Sequence, residues 1–101
     1  MTERIIADAM GRILKVRAIT MLDRLRLFKA LGPELSMNDA YLGVASLAAA
    51  VTAIDDVPLL FPTSEAAVEH AVERIGEAGL DAVAALFSSE DEAAARVAAG
   101  N

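Results

Sequence analysis

"LDRLRLFKALGPELSMNDAYLGVASLAAAV", residues 22–51, is the stretch on which the fold turns. It reads as helix, tight Gly-Pro turn, helix. Thr20, just ahead of it, is a predicted N-cap, with Asp23 in the first turn, where the helix dipole favours an acid. The first helix is therefore predicted over residues 20–31. Leu25, Phe28 and Leu31, joined by Leu27, make one apolar arc, and Arg26 and Lys29 point to the other side. Gly32 takes the C-terminal cap position and Pro33 forbids continuation. Ser36 or Asn38 then caps a second helix, predicted over 36–54. Met37, Tyr41, Val44, Ala48 and Val51 step by four and three along it, widened by Leu47 and Ile54. Its opposite face is small: Gly43, Ser46, Ala50 and Ala53. Such a helix belongs at the centre of a fold, and a charge at Leu47 would enter its buried stripe.

Outward from this pair, residues 3–19, "ERIIADAMGRILKVRAI", read as a β-hairpin. Leu14, Val16 and Ala18 alternate with Lys15 and Arg17, and Gly11 supplies a permissive turn residue. An amphipathic helix is the competing reading, since "ADAMGRILK" lacks strong β-formers. Beyond the second helix, Pro58 and Pro62 forbid regular helix through "DDVPLLFPT", residues 55–63. An extended connector with a short edge strand is expected there. Ser64 caps a third helix over 64–76, with Val68, Val72 and Ile75 inward and Glu69, Glu73 and Glu77 in an acidic ridge. Gly76 and Gly79 interrupt it before a short helix over 80–87. Residues 89–101 open on a capping-box pattern, Ser89 with Glu92, but lack an apolar face and are expected to be weakly ordered or frayed.

The expected architecture is α+β and mostly helical: a hairpin packed on a small bundle of three to four helices, in one domain over 1–88. The chain has 101 residues, no cysteine, 55% hydrophobic residues swollen by alanine, and only 4% aromatics. Alanine buries little area, so the core should be thin. Charges interrupt every apolar run near the N-terminus, which argues against a signal peptide. The longest uncharged run, residues 40–54, falls short of the roughly 20 residues of a membrane span. A soluble, cytoplasmic protein without a membrane partner is expected.

Enzyme chemistry lacks its parts. His70 lies among glutamates on a polar helix face, and no cysteine can serve as nucleophile or ligand. Asp55 and Asp56 read as a turn rather than a carboxylate dyad, because no apolar pocket is indicated to raise a pKa. Gly76 and Gly79 lack the strand that a phosphate-cradling loop requires. No catalytic residue, metal or cofactor is expected.

The helix-turn-helix outline raises DNA binding, yet the second helix presents only Asn38 and Asp39 and then alanine, valine and leucine. A recognition helix offers Arg, Lys, Asn or Gln to base edges. The net charge is −6, split into +4 over residues 1–30 and −10 over 31–101. Phosphate repulsion would oppose binding over most of the surface, so no nucleic-acid partner is expected. The split instead suggests a homo-oligomer in which Arg24, Arg26 and Lys29 of one copy meet Glu69, Glu73 and Glu77 of the next. Exposed parts of Leu27, Leu59, Leu60 and Phe61 are the candidate apolar partner-binding residues.

Four segments also carry a resemblance: the "GR…VR…LDRLRLFKALG" opening, the "YLG" helix, the "V.AIDDVP…P" connector and the "IGEAGLDAV" close. Together they span about residues 11–87. The chain resembles the tail assembly chaperones of long-tailed bacteriophages and prophages. One departure is Asp56, where the family connector has glycine. The resemblance implies a protein without enzyme activity that binds the hydrophobic, helical tape measure protein and keeps it soluble in the host cytoplasm. It would be absent from the mature virion. In many phages a longer frameshifted product of such a gene also recruits the tail tube protein. Other function classes are a small helix-turn-helix-like prophage DNA-binding regulator or antitoxin-like module, and an orphan structural or oligomeric module.

Overall fold

The computed structural model describes residues 3–99. Strands β1 (Arg4–Ala7) and β2 (Ile13–Val16) pair antiparallel around a turn in which Gly11 adopts φ 81°, a left-handed value open to glycine. The Asp8 carboxylate closes that turn by accepting from the amides of Met10 (2.9 Å) and Arg12 (3.0 Å). As the period-2 pattern predicts, Leu14 and Val16 face inward and are fully buried. Ala18 lies beyond the strand and is exposed.

Helix α1 (Met21–Ser36) starts at a capping box. The Asp23 amide donates to the Thr20 hydroxyl (3.1 Å), and the Thr20 amide donates to the Asp23 carboxylate (2.9 Å). The expected stop comes at Gly32 (φ 81°, ψ 173°), but helical geometry resumes and runs on to Ser36. Pro33 does not end the helix. Placed first in a new turn, it has no N–H that the helix would need, and its fixed φ suits that position.

Helix α2 (Asp39–Ala50) is capped by Asn38, whose side chain accepts from the Tyr41 amide (3.1 Å). It ends four residues earlier than periodicity predicts, because Val51–Ile54 form strand β3. Ala53 and Ile54 of β3 pair with Lys15 and Leu14 of β2, and Val51 pairs with Val16. A bulge at Thr52 takes up the register shift. The switch carries no glycine or proline to mark it. Val51 and Ile54 suit a strand as well as a helix, and the pairing partner lies more than thirty residues away.

Strand β4 (Val57–Pro58) completes a four-stranded antiparallel sheet in the order β1-β2-β3-β4. Asp55 (φ 48°) and Asp56 (φ 67°) make the β3–β4 turn, both left-handed, as in a type I′ hairpin. Asp56 thus occupies a position that suits glycine. Its carboxylate lies 3.4 Å from Lys15 Nζ.

Helix α3 (Glu65–Ala99) is capped by Ser64, which accepts from the Ala67 amide (3.1 Å), and breaks at Gly76 (φ 72°, ψ 175°). Gly79 is helical and does not interrupt it. The Ser89–Glu92 pattern starts no new helix: both residues sit inside α3, and backbone helix continues to Ala99. Residues 100 and 101 of the expected frayed tail lie outside the described residues. No helix among those described is long and apolar enough to cross a membrane.

The core has two parts joined by α2. One joins the inner face of β2 and β3 to Ala48 and Ala50 of α2 and to Ala71, Ile75 and Val83 of α3. The other places Leu27 and Leu31 of α1 against Ala45, Ala49 and Val68. The central place expected for the second helix is thus observed, but its faces differ from the reading. Alanines at 45, 48, 49 and 50 are buried, whereas Leu47 is half-buried, Val44 is exposed and Met37 is 84% exposed. A helix hemmed in by two helices and a sheet must let its neighbours approach closely, and only the small side chains permit that.

Candidate interaction surface

The predicted surface residues fall into three groups. Leu27 is 0% exposed and offers nothing to a partner. It lies one helical turn beyond Asp23, and Asp23 is drawn inward by Arg17, so that face of α1 turns to the core. In the extended connector, Leu59 and Phe61 are half-buried against the two parts of the core, and Leu60, between them, is 85% exposed. Extended backbone alternates its side chains, so only Leu60 of the three faces fully outward.

Arg24, Arg26 and Lys29 are exposed on α1. Glu69, Glu73 and Glu77 are exposed on α3, but the ridge is not continuous. Glu69 accepts from the Tyr41 hydroxyl (3.0 Å), and the left-handed break at Gly76 takes Glu77 out of line with Glu73. Desolvation by burial, the larger cause, together with Glu69 pushes the Tyr41 hydroxyl pKa upward. His70 is exposed.

The positive charge is distributed more unevenly than the sequence sum implies. All four cations of the hairpin region are engaged within the chain: Arg4 with Glu90 (2.6 Å), Arg12 with Asp8 (2.7 Å), Lys15 with Asp56 and Arg17 with Asp23 (2.7 Å). Arg24, Arg26 and Lys29 make no ion pair among the described residues. Among the described residues of the first 30, side-chain cations without an ion pair are therefore confined to α1.

Two of the pairs hold the architecture. Arg17 grips Asp23 with both guanidinium nitrogens (2.7 and 3.2 Å), tying the start of α1 to the end of β2. The Arg17 guanidinium, aided by the Thr20 amide and hydroxyl, outweighs burial and lowers the Asp23 pKa to about 2. Arg12 is bonded on two sides. It pairs with Asp8 and also donates to the carbonyls of Arg74 and Ile75, which the break at Gly76 leaves open. Burial pushes the Asp8 carboxyl upward, but the amides of Arg12 and Met10 and the Arg12 guanidinium outweigh it and leave the pKa below its ordinary value. Gly79 leaves room for this arrangement: a Cβ there would stand 2.6 Å from Ile75 Cγ2 and 3.3 Å from Arg12 Nη2. Asp55 joins the same end of the sheet, accepting from the Ile13 amide (2.8 Å). The "GR", "AIDD" and "IGEAG" segments thus converge on one structural latch.

What sequence reasoning missed lies on α1. Met21, Leu22, Leu25 and Phe28 are between 40% and 73% exposed. Leu25 and Phe28 belong to the same apolar arc as Leu27 and Leu31, yet the buried residues are Asp23, Leu27 and Leu31 at four-residue steps. One signal was available: α1 carries more large apolar residues than one buried stripe can hold. Phe28 also borders a groove of about 280 Å³ between α1 and α2, lined by Ile19, Leu27, Leu42, Gly43 and Ser46, with Arg24 and Asp39 beside them. Among the described residues, no group of three or more His, Asp or Glu is placed to hold a metal ion.

No family model, curated protein or solved structure matches the chain.

Proposed function

We propose that the chain is a non-enzymatic tail assembly chaperone of a long-tailed bacteriophage or prophage. In this reading it binds the tape measure protein in the cytoplasm of the bacterial host, keeps it soluble while the tail assembles, and is absent from the mature virion. The tail tube protein is a further partner if a longer frameshifted product is made. The observation that carries the reading is the exposed apolar ridge of α1, Met21, Leu22, Leu25 and Phe28. A solvent-facing row of large apolar side chains on a well-capped helix suits the capture of another apolar helix. The four segments that resemble this family add to it. Self-association through Arg24, Arg26 and Lys29 is the competing use of these cations and would weaken as salt rises.

Co-expression with the tape measure fragment encoded beside it tests the reading. The fragment should remain soluble and co-purify with the chain. A fragment that precipitates equally with and without the chain would remove the reading. One observation favours a second function: three cations without ion-pair partners among the described residues stand on the first helix of a helix-turn-helix outline. Binding to duplex DNA is nevertheless expected to stay at non-specific levels, about 10⁻⁴ to 10⁻⁶ M at physiological salt. A sequence-dependent gel shift that survives high salt would promote the DNA-binding regulator instead.

A further inference from the structure

The outer face of α1 combines two features that no other described surface combines. Met21, Leu25 and Phe28 follow one another at steps of four and three, so they form one ridge about 10 Å long on the helix surface. Helical spacing sets Arg24 along one border of this ridge, and Lys29, Leu22 and Arg26 along the other. The three cations make no ion pair among the described residues, whereas the four cations of the hairpin region do. At Phe28 the ridge opens into the groove between α1 and α2, whose roughly 280 Å³ suits one large apolar side chain. A Cβ on Gly43, in the wall of that groove, would meet nothing within 4 Å, so the entrance is open.

We infer that this face docks an amphipathic helix whose apolar stripe is bordered by acidic residues. The stripe would lie along Met21, Leu25 and Phe28, with one large side chain in the groove. Glutamates or aspartates on its borders would meet Arg24 on one side and Arg26 and Lys29 on the other. A partner bordered by lysines would set like charges together along both edges, so the cations act against wrong partners as well as for the right one. Asp39, the single acid lining the groove, faces the single cation Arg24 there, so the excess of positive charge lies on the Arg26 and Lys29 border. The inference deepens the chaperone reading and rests on it for the partner's identity, but the chemistry of the face can be tested by itself.

The test uses the full chain and three synthetic helices of about 18 residues, roughly five turns. One carries a leucine and methionine stripe bordered by glutamate, one the same stripe bordered by lysine, and one glutamate borders with the stripe changed to serine. Binding is read by fluorescence anisotropy. Three exposed charge contacts should favour the glutamate-bordered helix over the lysine-bordered one by about tenfold at about 0.05 M salt, narrowing near 0.5 M. The serine helix should not bind. Leu25→Glu should abolish binding, whereas Ile5→Glu, on the exposed edge strand β1, should leave it unchanged. Arg26→Glu with Lys29→Glu should reverse the border preference, and this double variant decides the matter alone if circular dichroism shows Leu25→Glu to be unfolded. Equal binding of both bordered helices, indifference to Leu25→Glu, or loss through Ile5→Glu would overturn the inference. So would a dimer of the unmodified chain that Leu25→Glu dissociates, since a second copy would then cover the face. If a tape measure fragment fails to co-purify while the peptide results hold, the chaperone reading falls and the docking face stands. If the fragment co-purifies equally with the Leu25→Glu chain, the face falls and the chaperone reading stands.

Discussion

Helices α1 and α2 are neighbours that both carry large apolar residues, and they use them in opposite ways. α2 turns its smallest residues inward: Ala45, Ala48, Ala49 and Ala50 are buried, while Val44 and Leu47 lie toward the rim. α1 buries only Leu27 and Leu31 among its large residues and leaves Met21, Leu22, Leu25 and Phe28 in solvent. Which residues are buried therefore follows the space around each helix rather than hydropathy alone. α2 is enclosed on three sides and can accept little volume. α1 touches the rest of the molecule along one stripe and has a free side.

Four substitutions bear on this contrast, from the largest expected effect to the smallest. Ala48→Leu should be the most damaging, because α2 has no room between the sheet and α3. A loss of about 3 kcal/mol, at the upper end for overpacking, is expected in denaturant unfolding. An unchanged midpoint would mean that α2 is not closely enclosed at Ala48. Next, Gly32→Ala tests the bend of α1 by backbone strain alone, since a Cβ there meets no atom within 4 Å. At φ 81° and ψ 173° a cost of about 2 kcal/mol is expected. A stability gain would show that the bend straightens freely.

The third substitution, Asp23→Asn, removes the charged grip of Arg17 on the start of α1. The Asp23 pKa falls from 3.8 to about 2 in the folded chain. A depressed carboxyl pKa stabilises the fold above the unfolded value, and this contribution disappears as pH falls from about 4 to about 2. After allowing for solvent screening around Arg17, it amounts to about 1–2 kcal/mol. Melting temperatures measured between about pH 2 and about pH 7 should show a flatter acid limb for the variant. Parallel curves would place the acid sensitivity elsewhere. Last, Leu25→Ser on the open face of α1 should change stability by less than about 0.5 kcal/mol. A loss as large as that of Ala48→Leu would dissolve the contrast between the two helices.

Much of the local structure was legible in the residues. The hairpin turn at Gly11, the caps at Thr20, Asn38 and Ser64, and the extended connector all stand where residue chemistry predicts them. So do the breaks at Gly32 and Gly76. The α+β class followed from the change of period at Thr20. The candidate surface was less legible. Leu27 was read as partly exposed because its arc on α1 could be placed only relative to its neighbours in sequence, and the arc is wider than the face the fold covers. Asp23 carried the clue, since a carboxylate shared by a capping box and an arginine holds its side of the helix inward.

The sequence by itself determined where the chain caps, bends and turns, because those choices depend on backbone freedom and on hydrogen bonds spanning a few residues. Gly32, Gly76 and Gly11 take left-handed angles, and Thr20 and Asn38 satisfy the amides of the next turn. Only the tertiary structure decided that residues 51–54 leave the helix, since the ladder with β2 provides backbone partners that no local pattern reveals. The same holds for the pairing of Arg4 with Glu90, for the seating of Arg12 on the open carbonyls at Gly76, and for the alanine face of α2. Each depends on distances between segments remote in the chain. Close approach there selects the small or oppositely charged side chain, whatever its periodicity.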